Sequence, residues 1–297
     1  MATRRTHTKI TGAPDYNDPE FWNHRFATGR DACEWLNSGE ALIDIVLSNL
    51  EHKPGFEGST PRVLHLGPGI SQLGVRLRDA CHERQWAGNG IVVGSLPHPI
   101  LSSQPLRCCG ERGRTFNFFV QPSCLHCFCS QNADFSFEAV RLGREAERNH
   151  PPAKAMHWHQ TDLLSWADVA ALSCFAPFDV ILDKSTSDAI ATFDDQTFSA
   201  SADHSQVSPV VQEILSRDVT VAMSPVELLA LHLVPLTRKE TTWIALSYST
   251  IRFDNLPLLA EYWTLRSRTA LKAPPGLVSS SAYAPEVYHW IYILDRK

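Results

Sequence analysis

No apolar run in this 297-residue chain comes near the length of a membrane span, which argues against a segment buried in lipid. Positive charge is not in excess either. The 27 Lys and Arg face 32 Asp and Glu, the net charge is −5 and the pI is near 6.2. Such a balance disfavours a protein that holds nucleic acid by bulk charge, and only a local basic patch is compatible with it. Internal repeats are missing. The opening "MATRRTHTKITGAP" is basic but lacks the apolar stretch of a secretory signal. It reads as a disordered tail over 1–14, with the start of a mitochondrial presequence as the alternative. The expected location is the cytoplasm, or the mitochondrion on that second reading.

What is present is ordinary for a soluble globular chain: 43% hydrophobic and 20% charged residues, enough for a single domain over 15–297. After an aromatic-rich stretch, 18–36, the apolar spacing in "GEALIDIVLSNL" (39–50) predicts a helix. "VLHL" and "DVILD" lack polar alternation, as expected of strands buried on both faces. Between and around them "SQLGVRLRDA" and "FEAVRLGREAERN" read as helices. Strands are expected at 90–95, 155–166, 178–182, 241–250 and 288–296. The alternation predicts an α/β fold, a parallel sheet covered by helices.

The first of these strands, 62–66, breaks into Gly67-Pro68-Gly69. In open α/β sheets ligands sit beyond the carboxyl ends of the strands, and glycine lets the backbone approach them. The following helix directs its N–H groups at the same place. Gln72 stands where a dinucleotide fingerprint needs Gly or Ala, and no Gly-Lys-Ser/Thr follows for a phosphate loop. Alone, the turn fits a ligand-free strand–helix connection equally well. It has company, though. Asp134 in "NADFS", Asp162 in "HQTDLL" and Asp183 in "ILDKS" fall where successive strands should end. Any one of them reads as a helix N-cap. Three together beside a Gly-x-Gly turn point to one nucleoside-type pocket.

The set "FWNHRF", "VLHLGPGIS", "NADFS", "HQTDLL", "FDVILDKSTSDAI" and "HWIYILDR" resembles the class I S-adenosylmethionine-dependent methyltransferases. It is most similar to the branch of elongation-factor-1-alpha and citrate-synthase lysine methyltransferases. There the pattern Asp-Lys-Gly-Thr-x-Asp-Ala stands where this chain has Asp183-Lys184-Ser185-Thr186-Ser187-Asp188-Ala189. The resemblance implies a Rossmann-like, doubly wound, mostly parallel seven-stranded sheet with an antiparallel C-terminal strand and helices on both faces. It implies S-adenosyl-L-methionine as cofactor and a protein substrate, of which a translation elongation factor is the branch's example. Carried over, Gly67 and Gly69 face the methionine part of the cofactor, with His65 and Ser71 flanking that turn. Asp134 holds the ribose, Phe135 lies beside the adenine, and Asp162 and Leu163 sit at the adenine edge. Trp22 and Arg25 close over the site, Arg25 near the cofactor carboxylate. Asp183 borders the substrate channel, and Asp183 and Asp188 are the candidate catalytic carboxylates. Two positions depart from the pattern: His65 where many such enzymes carry an acid, and Ser185 in place of glycine.

Methyl transfer from a sulfonium needs nucleophile and methyl carbon close and aligned. A lysine acceptor must be neutral, and a desolvated pocket favours that form. Asp183 is expected to position the acceptor first and to act in proton transfer second. Lys184 is expected to pair with a nearby carboxylate. Two rival readings stay open: a small-molecule methyltransferase, and a catalytically impaired scaffold.

Residues 96–130 do not belong to the pattern. Cys108, Cys109, Cys124, Cys127, Cys129, His98 and His126 crowd there, but only Cys124-x-x-Cys127 has the spacing of a zinc half-site, and no metal is expected. The segment also reads as a translated intron, since "FFVQPSCLHCFCS" fits a pyrimidine tract ending in CAG. Transcript reads joining the neighbourhoods of Ser95 and Gln131 would test that. As protein it forms an irregular Cys-rich insertion, and it puts at risk the arrival of Asp134 at a strand end.

Overall fold

The computed structural model describes residues 14–29, 34–53, 60–86, 129–151, 154–201, 207–274 and 286–297. Among them the chain runs α1 (Pro19–Thr28), α2 (Glu40–Glu51), β1 (Arg62–Leu66), α3 (Leu73–Glu83), β2 (Cys129–Asp134), α4 (Phe137–Glu147) and β3 (His157–Gln160). It continues through α5 (Trp166–Ala170), β4 (Phe178–Lys184), α6 (Thr186–Ile190), β5 (Gln196–Ser199), α7 (Pro209–Arg217), β6 (Thr220–Met223) and α8 (Pro225–Leu233). The last elements are β7 (Thr237–Ser247), α9 (Pro257–Tyr262), β8 (Trp263–Lys272) and β9 (Tyr288–Arg296).

Seven strands form one sheet in the order β3-β2-β1-β4-β7-β9-β8, and β5 and β6 pair separately. Strands β1 to β4 and β7 run parallel. Strand β9 is antiparallel to both of its neighbours, β7 and β8. This is the Rossmann-like sheet with one reversed C-terminal strand that the sequence implied. Alternation along the strands feeds two cores. Val63, Val180, Leu182, Ile244 and Leu246 meet Leu42, Val46 and Leu50 of α2 and Leu73 and Leu77 of α3. On the other face Leu64, Leu66, Ile181, Trp243 and Ala245 meet Val226, Leu229, Ala230 and Leu233 of α8.

Helix α8 is buried along its whole length and is apolar apart from Glu227 and His232. Its outer side packs on Val211, Ile214 and Leu215 of α7 and on Met223 of β6. A capping box fixes where it starts: the Ser224 hydroxyl accepts from the N–H of Glu227, whose carboxylate accepts from the N–H of Ser224. On the opposite side, Arg78 of α3 donates to both oxygens of Glu147 of α4 at 3.1 Å, which sets these two helices side by side.

Four expectations change. The strand beside β1 is β2, paired Arg62↔Cys129 to Leu66↔Ala133. The Cys-rich insertion therefore ends before Cys129, because Cys129 and Ser130 belong to the sheet. The strand expected at 90–95, the tail at 1–13, and Cys108, Cys109, Cys124, Cys127, His98 and His126 lie outside the described residues. The third strand is short, ending at Gln160, and the fifth starts early, at Thr237. Strands β5, β6 and β8 had no counterpart in the sequence reading.

Candidate functional site

The parallel strands end at one rim, and each end supplies a turn. Gly67 takes φ +50° and Gly69 φ +53°, the left-handed region where a side chain is strained. A Cβ on Gly67 would collide with the Thr186 hydroxyl, which itself donates to the carbonyl of Leu66 at 2.7 Å. A Cβ on Gly69 would come within 2.9 Å of the Phe26 ring. The turn is tied to the neighbouring strand by the Gly67 N–H, which donates to the carbonyl of Ala133 at 2.8 Å.

Asp134 ends β2 beneath that turn. Its Oδ2 accepts from the N–H of Gly69 and its Oδ1 from the N–H of Ser136, both at 2.9 Å. Each carboxylate oxygen keeps a lone pair for a further donor. Burial pushes the carboxyl up to about 6, against the pull of those two N–H groups. Asp162 follows β3 and is exposed; its Oδ1 accepts from the N–H of Leu164 at 2.9 Å. Leu163 beside it is buried, and its carbonyl faces His232 Nδ1 at 3.1 Å.

The roof comes from α1 and the segment after it. Asn23 Oδ1 accepts from the Ser136 hydroxyl at 2.8 Å and from the N–H of Glu138 at 3.3 Å, docking α1 on the start of α4. Trp22 packs on Trp35 with ring centres 5.7 Å apart, and the Arg25 guanidinium lies 5.2 Å from the Trp35 ring centre.

These parts enclose one cleft of about 1160 Å³, counting the space open to solvent. Trp22, Arg25, Gly67, Gly69, Ser71, Asp134, Phe135, Asp162, Leu163 and Asp188 all border it. Two other candidates do not. His65 is buried against α3, its Nδ1 next to Gly74, and burial together with the Lys184 charge pushes its imidazole down to about 3. The alternation of β1 turns this side chain to the helix face rather than the rim. Asp183 is fully buried below the cleft, where its Oδ1 accepts from the N–H groups of Thr186 and Ser187 at 2.8 and 3.2 Å and caps α6. Burial pushes this carboxyl up to about 6 as well, with Asp188 adding to the rise and the Ser187 and Thr186 hydrogen bonds opposing it.

Asp188 reaches the wall, but its oxygens are taken. Oδ1 accepts from the Ser247 hydroxyl and from Arg252 Nε at 2.7 Å; Oδ2 accepts from the Ser185 hydroxyl at 2.8 Å and the N–H of Tyr248 at 3.1 Å. Ser185, the residue in the glycine position, does adopt a left-handed conformation, φ +67°. Its hydroxyl also accepts from Trp35 Nε1 at 3.2 Å. Sequence reasoning missed Tyr16, Phe26, Trp35, Phe193 and Tyr248 on the wall. The aromatic density of 16–35 was the available signal for the first three. Arg252 carries no motif and is found only through its partner.

No family model matches the sequence. The methyltransferase srdJ of Neurospora crassa is 24% identical over 284 residues, covering 96% of this chain and 85% of that protein. Among solved structures, the N-methyltransferase NodS of Bradyrhizobium japonicum, in complex with S-adenosyl-L-homocysteine, is similar at 10% identity. The likeness covers 95% of this chain and 98% of that one, with a TM-score of 0.45. The magnesium protoporphyrin IX methyltransferase of Synechocystis with bound S-adenosylmethionine is 10% identical, covering 96% and 99%, with a TM-score of 0.44.

Proposed function

We propose that this chain is an S-adenosylmethionine-dependent methyltransferase. The carrying observation is convergence: the positive-φ turn at Gly67 and Gly69, the buried carboxylate of Asp134 and the rim residue Asp162 come from three adjacent strands and border one cleft. The residues fit the cofactor. The glycine turn brings the backbone of 67–69 to the edge of the cleft. Asp134 keeps lone pairs for ribose hydroxyls, and Phe135, Leu163 and Ile190 offer apolar surface to a base. Arg25 gives a positive charge for the carboxylate. When bound, the cofactor supplies a methyl group on a sulfonium, a good leaving group. The chain's own part is to hold acceptor and methyl carbon in line and to keep water out. Thr186, held on the Leu66 carbonyl, and Ser185, held on Asp188, shape the turn where the acceptor enters.

The acceptor in this reading is a lysine of a protein substrate. The Asp183–Ala189 pattern supports it, as do Trp35 and Tyr248 on the wall, whose apolar surface desolvates an entering amine. Asp183 and Asp188 then act by building the turn: one caps α6, the other is closed by four donors. That same closure favours a second reading, a small-molecule acceptor, because it takes Asp188 out of cation recognition at the wall. Calorimetric titration with S-adenosylmethionine is expected to give saturable one-to-one binding; no binding heat would remove the reading. Tritiated methyl label fed to a cell lysate should then appear in a protein band for the lysine reading, and in the low-mass fraction for the other.

A further inference from the structure

Lys184 follows Asp183 at the end of β4, and its side chain is 4% exposed. Its ammonium donates to Glu34 Oε2 at 2.9 Å, to the Trp35 carbonyl at 2.9 Å and to the Asn37 carbonyl at 3.3 Å. An ammonium has three protons, so this set saturates it. Glu34 is shared in turn: its Oε1 accepts from the N–H of Gln72 at 2.8 Å. Gln72 is the N-cap of α3, in the same turn as Gly69 and Ser71. One ion pair thus joins three places that are distant in sequence: the end of β4, the segment 34–37 and the turn after β1.

The pair is an expensive way to fill space. Burial lowers the Lys184 ammonium, and the Glu34 hydrogen bond and charge raise it only in part. For Glu34 burial raises the carboxyl, but the Gln72 N–H, the Lys184 hydrogen bond and charge and the Ser71 hydroxyl outweigh it, so it ends lowered. A buried pair of this kind contributes little net stability over apolar residues of similar volume. What it does provide is placement. Its ammonium grips the main chain just after Glu34, at Trp35 and Asn37, so the Trp35 ring is held on the wall between the Arg25 guanidinium and the Ser185 hydroxyl.

We propose that Lys184 and Glu34 form a positioning clamp that locks the cofactor turn to the Trp35 wall, so that cofactor affinity and the setting of Trp35 are coupled. The proposal rests on the S-adenosylmethionine reading above. The test is titration of S-adenosylmethionine into wild type, Lys184→Met, Glu34→Gln and Trp35→Phe, followed by calorimetry and by tryptophan fluorescence, below the melting temperature of each.

Lys184→Met is expected to weaken binding at least tenfold and to shrink the cofactor-induced fluorescence change. Glu34→Gln, which keeps an acceptor for one of its two donors, should fall between it and the wild type. Trp35→Phe should remove most of the fluorescence change. Variants that melt earlier but bind with wild-type affinity and a wild-type fluorescence change would overturn the clamp. If Lys184→Met does not fold, Glu34→Gln decides: unchanged affinity overturns the proposal. A wild type that fails to bind removes the cofactor reading and the clamp together, whereas a binding wild type with unaffected variants removes the clamp alone.

Discussion

Asp134 and Asp188 are both buried carboxylates at the tip of the same sheet, and they end up in opposite conditions. Asp134 meets two backbone N–H groups and faces the cleft with acceptor capacity left over. Asp188 meets two hydroxyls, one N–H and the Arg252 guanidinium, and has none to offer. The chemistry of the side chain is identical; what differs is how many donors the fold has already pointed at it. An acid at this rim, whether it ends β2 or sits in α6, is therefore available to a ligand only in proportion to what its neighbours leave unclaimed.

The strongest way to break this contrast is to remove each acid. Asp188→Ala strands the Arg252 charge, whose side chain is only 8% exposed, and should cost about 3–5 kcal/mol in urea unfolding. Asp134→Ala should act the other way round. We expect about a 100-fold loss of S-adenosylmethionine affinity by calorimetry, roughly 2.7 kcal/mol, with a smaller stability loss than Asp188→Ala, about 1–2 kcal/mol, from the two N–H groups that lose their acceptor. Equal stability losses in the two variants would erase the distinction.

Acidity gives a finer test. The folded value for Asp134, about 6, lies above its ordinary value of 3.8. The native state then holds the extra proton between these limits, so this group's contribution to stability falls as pH rises from about 4 to 6. Ribose hydroxyls donate to the charged form, so cofactor affinity should rise as pH passes through the folded value, by about tenfold from pH 5 to pH 7. Titrations across that range check it, and Asp134→Asn should flatten the curve. The smallest effect concerns Ser185. Glycine there relieves a left-handed serine but loses the hydroxyl's bonds to Asp188 and Trp35. Chemical denaturation should show Ser185→Gly less stable by about 1 kcal/mol, since a hydrogen bond to a charged group outweighs the strain.

Much of this contrast was legible in the chain. "VLHLGPG" and "DVILD" announce central strands because they are oily on both faces, and the acids that follow them mark the rim. Strand β2 escaped because its buried interior is Ser130, Gln131 and Asn132. Two of those side chains reach β3, as Gln131 Oε1 meets His159 Nε2 at 2.7 Å and Asn132 Nδ2 donates to the His157 carbonyl at 3.2 Å, and the three leave no apolar signature. Strand β8 escaped for the opposite reason: it is an edge strand exposed along most of its length, with no alternation to read. That Lys184 pairs with a carboxylate was legible, but which carboxylate it is, and which donors close Asp188, were illegible for a third reason. Those partners lie far away in sequence, at Ser247, Tyr248, Arg252 and Glu34, and motif spacing carries no information about them.

The polar interior of β2 also bears on how the molecule comes together. A strand built on Ser130, Gln131 and Asn132 gains little from collapse and must be recruited by an existing edge, that of β1. Asp134, the carboxylate proposed to hold the cofactor, rides on this strand. Competence to bind should accordingly be the last property gained on refolding and the first lost under mild denaturant, while the oily centre of β1, β4 and β7 still stands.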